Sequence, residues 1–194
     1  MSFRAEVQPI PSALVAEMTG ASWHPDPRCP AWHQLVLVRM SHWGFDGALH
    51  DGELVVAAAV ADDVMRAFSR VFDARFPIQS MVRIDAHGGD DDRSMAANNC
   101  SGFNFRTVAG LDALSLHSFG TAIDINPVQN PYIAGERVLP PAATAYLDRD
   151  DVRPGMIVRP GPVTDAFDEI GWEWGGDWSP RKDYHHFAVR RAAP

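Results

Sequence analysis

Two side chains able to hold a metal ion, His117 and Asp124, stand seven residues apart on either side of Gly120, in a stretch that then runs into Pro127. Glycine lets a backbone bend or approach a neighbour closely, so an imidazole and a carboxylate on one short segment can be brought to a single point. Zinc accepts both ligand types, and a catalytic zinc site commonly has three protein ligands with the fourth position left to water. A third ligand is therefore required. The far end of the chain offers candidates, since Asp183, His185 and His186 lie within four residues of one another. Taken alone, His117 could equally be a buried imidazole satisfied by a backbone carbonyl, and Asp124 could cap a turn before Pro127. No His-Glu-x-x-His run is present, which excludes the helix-borne zinc site of the thermolysin-like proteases.

The pattern His117-x-x-Gly120-x-Ala122-x-Asp124, followed far downstream by Asp183-x-x-His186, resembles peptidase family M15. These zinc metallopeptidases cut bacterial cell-wall peptides, either as D-alanyl-D-alanine carboxypeptidases or as L-alanyl-D-glutamate endopeptidases. The likeness extends to Ser94-Met-Ala-Ala-Asn-Asn99, Phe103-Asn-Phe-Arg106, Asp124-Ile-Asn-Pro-Val-Gln-Asn-Pro131 and Trp174-Gly-Gly-Asp-Trp178, and covers roughly residues 35 to 188. It implies that His117, Asp124 and His186 hold Zn2+, that the substrate is a peptidoglycan stem peptide, and that the fold is the one shared with the Hedgehog signalling domain. By the family's Asp-x-x-His spacing His186 is the ligand, which leaves His185 pointing away, packing or meeting solvent, with contact to the substrate or to the groups around the metal as the lesser alternative. An aspartate at 183, where the carboxypeptidase and dipeptidase branches show glutamate, leans toward the endopeptidase-like branch. The Asp-Ile-Asn-Pro signature leans toward the D-alanyl-D-alanine carboxypeptidase-like one.

The chemistry expected of such a site assigns further residues. Asp183 is the candidate general base, with Glu173 and Asp177 as competitors; Glu173 lies between two tryptophans on an apparent strand, and Asp177 looks like a turn residue. A cation should hold the developing oxyanion or a substrate carboxylate, and Arg106 is the first choice, Arg93 the second. Either arginine could instead sit in a surface ion pair with neighbouring aspartates, Arg93 more readily. The alternative to an enzyme is a non-catalytic, zinc-containing binding domain of the same fold; Asp183 and an arginine near the cleft count against it.

A chain of 194 residues, 46% hydrophobic, can bury one core, and the natural division is an N-terminal arm over 1–34 followed by a peptidase domain over 35–194. The formal net charge of -8 argues against a general nucleic-acid binder, and no stretch is apolar for long enough to span a membrane. A monomer is expected. The N-terminus lacks the basic start and apolar run of a signal peptide, although action on a cell wall would require export or release. Cys29 and Cys100 read as two free, partly buried thiols, with a single disulfide as the alternative in an exported protein.

The elements that must carry these residues are read from pattern. Prolines 9, 11, 25, 27 and 30 restrict the arm to extended and turn conformations, with at most a short helix over 12–18. Residues 35–40 and 53–56 read as a hairpin around a turn-rich excursion, and 62–75 as a helix with acidic residues in its first turn and Val64, Phe68, Val71 and Phe72 at helical spacing. Residues 78–84 read as a strand. The aspartate cluster 90–92 reads as solvated, and 94–106 as a polar loop. Residues 121–125 read as a strand with Ile123 and Ile125 facing opposite to Asp124. The run 127–162, with seven prolines, reads as a long surface excursion with one helical turn near 142–147. A helix over 163–170 and strands at 172–174 and 184–189 close the chain. The mixture is α+β: a central antiparallel sheet with helices packed on one side.

Overall fold

A computed structural model describes residues 2–108 and 112–190. The regular part of the molecule is a hairpin of two nine-residue strands, β2 (Leu35–Trp43) and β3 (Leu49–Ala57), with β1 (Ala5–Pro9) added antiparallel to β2. Residues expected as an arm thus supply an edge strand, because Pro9 and Pro11 favour extended backbone. Side chains alternate across this sheet. Val38, Met40, Leu54 and Val56 enter the main core, and Leu35, Leu37 and Val55 enter a second cluster with Met18, Cys29 and Phe103.

The two faces are covered by different elements. Helix α2 (Ala61–Asp73) lays Val64, Ala67, Phe68, Val71 and Phe72 on the first face, one stripe at helical spacing. Helix α1 (Ser12–Met18), with the stacked Trp23 and Trp32, covers the second. Helices on one side only was the expectation; the buried Met18 of α1 corrects it. Cys29 and Cys100 are free and buried.

The chain beyond α2 is irregular. Residues 78–84, expected as a strand, are not one, although Ile78, Met81 and Ile84 are buried. Single backbone bonds to Trp43, Glu53 and Cys100 are joined by asparagine side chains in place of a continuous ladder: Asn99 Oδ1 accepts from Val82 N at 2.9 Å, Asn99 Nδ2 donates to Val82 O at 2.8 Å, and Asn126 Oδ1 accepts from Gln79 N at 3.0 Å. Nor are 91–96 a loop. They form helix α3 (Asp91–Ala96), whose N-cap Asp90 accepts from Arg93 N.

Next come β4 (Ala122–Asp124), the hairpin β5 (Tyr132–Ala134) and β6 (Arg137–Leu139), helix α4 (Pro162–Glu169), β7 (Trp172–Trp174), β8 (Lys182–Asp183) and β9 (His186–Val189). Ile123 and Ile125 enter the main core as the alternation required, beside α4's Phe167, which stacks on Phe187 at 4.1 Å. The expected α+β class holds. The single central sheet does not: the described residues form three three-stranded antiparallel sheets, β1-β2-β3, β4-β9-β7 and β6-β5-β8. Strands of two to four residues between prolines and glycines are too short to join the longer hairpin.

The segment 127–162 is less superficial than its prolines suggest. Its buried residues Gln129, Asn130, Ala143, Met156 and Ile157 are held by Arg149, whose guanidinium donates to the carbonyls of Gln129 (2.8 Å) and Ile157 (2.6 Å) and to Asn130 Oδ1 (3.2 Å), and lies 4.4 Å from the Tyr184 ring. Burial pushes this guanidinium's pKa down. The ordered carbonyls and the ring supply the negative potential that a carboxylate would otherwise give.

Candidate metal centre

Each predicted ligand is placed by a different local device. His117 sits in a tight 3-10 turn, Leu116–Phe119, which opens on Ser115, whose Oγ accepts from His117 N, and ends at Gly120 with φ 67°. A Cβ at Gly120 would stand 2.5 Å from Ala57 N, so the turn lies directly on the end of β3. There Ala57 N donates to Gly120 O at 2.9 Å. Asp124 ends β4, and His186 opens β9 as its cross-strand partner, so antiparallel pairing sets the two side by side.

The three side chains converge. His117 Nε2 lies 3.1 Å from Asp124 Oδ2 and 3.2 Å from His186 Nδ1, and His186 Nδ1 lies 2.9 Å from Asp124 Oδ1; all three residues are buried. Ligands about 2.0–2.1 Å from a tetrahedral zinc would be spaced about 3.3 Å apart, close to these edges. The tautomers support the same reading. His117 Nδ1 donates to Gly102 O at 2.6 Å, which leaves a lone pair on Nε2 aimed at the carboxylate. Two facing acceptors in a buried place require a cation between them, a proton or a metal ion.

The electrostatics express that requirement. Burial pushes the Asp124 carboxyl toward neutrality, but the nearby His117 and His185 hold it well below the usual carboxylate range. Burial likewise opposes a charge on His117, and Asp124 more than offsets it, so that imidazole's pKa is raised. The donor set of two imidazoles and one carboxylate fits zinc.

His185 was expected to point away, and it does not. Residues 184 and 185 form a turn between β8 and β9, so strand alternation does not apply to them, and His185 is only 4% exposed. Its Nδ1 donates to Asn130 O at 2.7 Å, while Nε2 lies 2.9 Å from Asp183 Oδ1 and 4.0 Å from Asp124 Oδ1. Burial works against its charge, but Asp183 and Asp124 together push its pKa up to about 10. Asp183 is thus brought beside the metal ligands through one imidazole. The short contact to His185 is poorly aligned, and Asp183 Oδ1 has no hydrogen-bond partner among the described residues.

The other candidates separate. Arg93 makes an exposed pair with Asp90 at 3.3 Å, as a solvated helix end would. Arg106 Nη2 pairs with Asp91 Oδ2 at 2.8 Å, and each of those side chains is 27% exposed. Arg106 N donates to Ser118 Oγ at 3.0 Å and Arg106 O accepts from Ser115 N at 3.0 Å, so the Arg106 backbone lies against the turn that carries His117. Glu173 is the half-buried middle residue of β7, on the face opposite the buried Trp172 and Trp174, while Asp177 pairs with Arg159 at 3.2 Å; neither is among the gathered residues. Sequence reasoning missed Asp91, Asn130, the Gly102 carbonyl and Trp178, whose ring lies 5.3 Å from that of His186. Of these, only Trp178 carried a signal, an aromatic residue just after a pair of glycines.

Residues 109–189 match the peptidase M15 family model described as D-alanyl-D-alanine carboxypeptidase. No curated protein and no solved structure matches the chain. The matched span contains His117, Asp124, Asp183 and His186, and it supports a peptidase. The resemblance read from the motif spacing is thereby borne out over residues 109–189: this part of the chain is peptidase M15-like.

Proposed function

We propose that the protein is a zinc-dependent peptidase that hydrolyses peptidoglycan stem peptides, in the manner of the D-alanyl-D-alanine carboxypeptidases or the L-alanyl-D-glutamate endopeptidases. The observation that carries this is the buried His117, Asp124 and His186 cluster, with lone pairs facing inward and the Asp183 carboxylate one side chain away. The three residues of the cluster would hold the ion. Zinc bound there would lower the pKa of its water toward about 7 and polarise a carbonyl.

The remaining work falls to the chain's own groups. Asp183 accepts a proton as water oxygen bonds to the scissile carbonyl carbon, and returns it to the amine nitrogen as the carbon–nitrogen bond breaks. His185, fixed by the Asn130 carbonyl, keeps that carboxylate in place. Arg106 offers positive charge to the carbonyl oxygen as it becomes anionic, or to a substrate carboxylate.

Zinc content and digestion of muropeptides, followed by mass spectrometry, test the reading. The parent protein should bind one zinc and release either one D-alanine or a fragment cut after L-alanine. His117→Ala should lose metal and turnover together, and Asp183→Asn should keep the metal while kcat falls roughly 10²- to 10⁴-fold. Full turnover without metal, or in either variant, would sink the assignment.

A further inference from the structure

We propose that Asp91 is a specificity-determining residue that acts through Arg106: it occupies the guanidinium as an internal carboxylate, so the site favours an internal amide over a peptide ending in a free carboxylate. This inference rests on the peptidase reading above, and it separates the two kinds of cleavage that reading leaves together.

The pairing is built into the backbone. Arg106 is clasped to the His117 turn by Ser118, whose Oγ accepts from Arg106 N at 3.0 Å and contacts Arg106 O at 2.7 Å; Ser115 N also donates to Arg106 O. Asp91 begins α3 directly after the Asp90 cap, and Asn104 Nδ2 ties the preceding loop to the Arg106 segment through Gly89 O at 3.1 Å. Two anchored segments, rather than two free side chains, set the 2.8 Å contact, so little side-chain entropy opposes it.

The consequence is electrostatic. An anion entering beside His117 meets Asp124, Asp183 and Asp91, and finds the Arg106 charge already compensated. Arg106 Nε is buried and has no hydrogen-bond partner among the described residues, so the contact of Nη2 with Asp91 is the one that compensates this guanidinium there. Burial pushes the Asp91 carboxyl up and Arg106 pulls it back, as expected of a partly enclosed carboxylate whose main compensation is that one cation. A substrate carboxylate must displace Asp91 or share Arg106 with it; an internal amide need do neither.

The test compares acetylated peptides ending in D-alanyl-D-alanine as the free acid and as the C-terminal amide. In Asp91→Asn the ratio of kcat/KM for acid over amide should rise roughly tenfold, the size of one charge-assisted contact, and the change should lie in the KM of the acid. Asp91→Glu should return the ratio toward the parent value, and Asp91→Ser serves as a second neutral variant should the asparagine protein not fold. A readout free of turnover is calorimetric binding of N-acetyl-D-alanine and its amide to zinc-loaded Asp183→Asn, with and without Asp91→Asn. Preferential tightening of the acid supports the proposal; equal changes for acid and amide, or none, overturn it. If the parent cleaves no peptide, the peptidase reading falls while the binding comparison still judges Asp91.

Discussion

The half of the molecule formed by β2, β3 and α2 and the half that carries the candidate metal ligands both exclude water, but by different chemistry. The first uses nine-residue strands and a thirteen-residue helix whose inner positions are apolar, with Leu37, Val38, Leu54, Val56 and Val64 fully buried. The second uses strands of two to four residues: Ile123, Trp172 and Phe187 still join that apolar core, but the ground beside His185 is filled by buried amides and a guanidinium. Asn130, fully buried, donates to Gly155 O at 2.9 Å and accepts from Ile157 N at 2.7 Å. Apolar packing is non-directional and adds stability in proportion to area; a buried polar network is directional and fixes where each atom lies. A metal centre needs the second kind of interior, resting on the first.

Mutations can break that contrast. The largest loss is expected for Phe68→Ala in α2, about 3–5 kcal/mol by transfer and cavity terms. Chemical denaturation should show the helix signal and the zinc site disappearing in one transition; zinc binding that outlasts the helix would show that the halves do not depend on each other. Asn130→Ala should cost less, about 1–3 kcal/mol for each group left unpaired, yet depress kcat more than a core variant of equal melting temperature, because it loosens the carbonyl that fixes His185. Equal kcat in the stability-matched pair would remove the distinction between the two interiors.

A third prediction concerns pH in the metal-free protein. His185 has a raised pKa in the folded state, so its protonation contributes stability that is fully present below its unfolded value of 6.5 and is lost as pH rises through about 10. Melting temperatures of the parent should therefore decline over that interval, and those of His185→Gln should decline less; parallel curves would show that the Asp183–His185 pair is not ionic. The smallest effect belongs to Arg93→Ala, within about 0.5 kcal/mol and without change in turnover, since its partner Asp90 is solvated. A marked fall in kcat would return Arg93 to the site.

Where the sequence was legible, one local rule governed the residue. The α2 stripe follows helical period, the β2–β3 hairpin follows strand alternation, and His117, Asp124 and His186 follow motif spacing. His185 was misread because the Asp-x-x-His spacing assigns only the ligand at 186; where the neighbouring side chain goes is set by the turn at 184 and 185, which carries His185 onto Asp183. Asp91 was hidden in a run of three aspartates, a composition that normally stays in water; only the start of α3 turns one of them inward. Residues 78–84 have the apolar content of a strand, but their hydrogen bonds are scattered over the backbone of Trp43, Glu53 and Cys100 and the side chains of Asn99 and Asn126, partners distant in sequence that no local pattern announces.

The ledge that β3 offers has one more implication. Val55 O receives Phe103 N at 2.8 Å, Ala57 N reaches Gly120 O, and a side chain at Gly102 would collide with Val55 O at 2.5 Å. An excised 109–189 peptide, or that span transplanted onto a foreign scaffold, would carry all three liganding side chains but neither the shelf beneath the Gly120 bend nor the carbonyl that selects the tautomer of His117. Such a graft should capture zinc weakly, and restoring its grip would mean importing the floor along with the furniture.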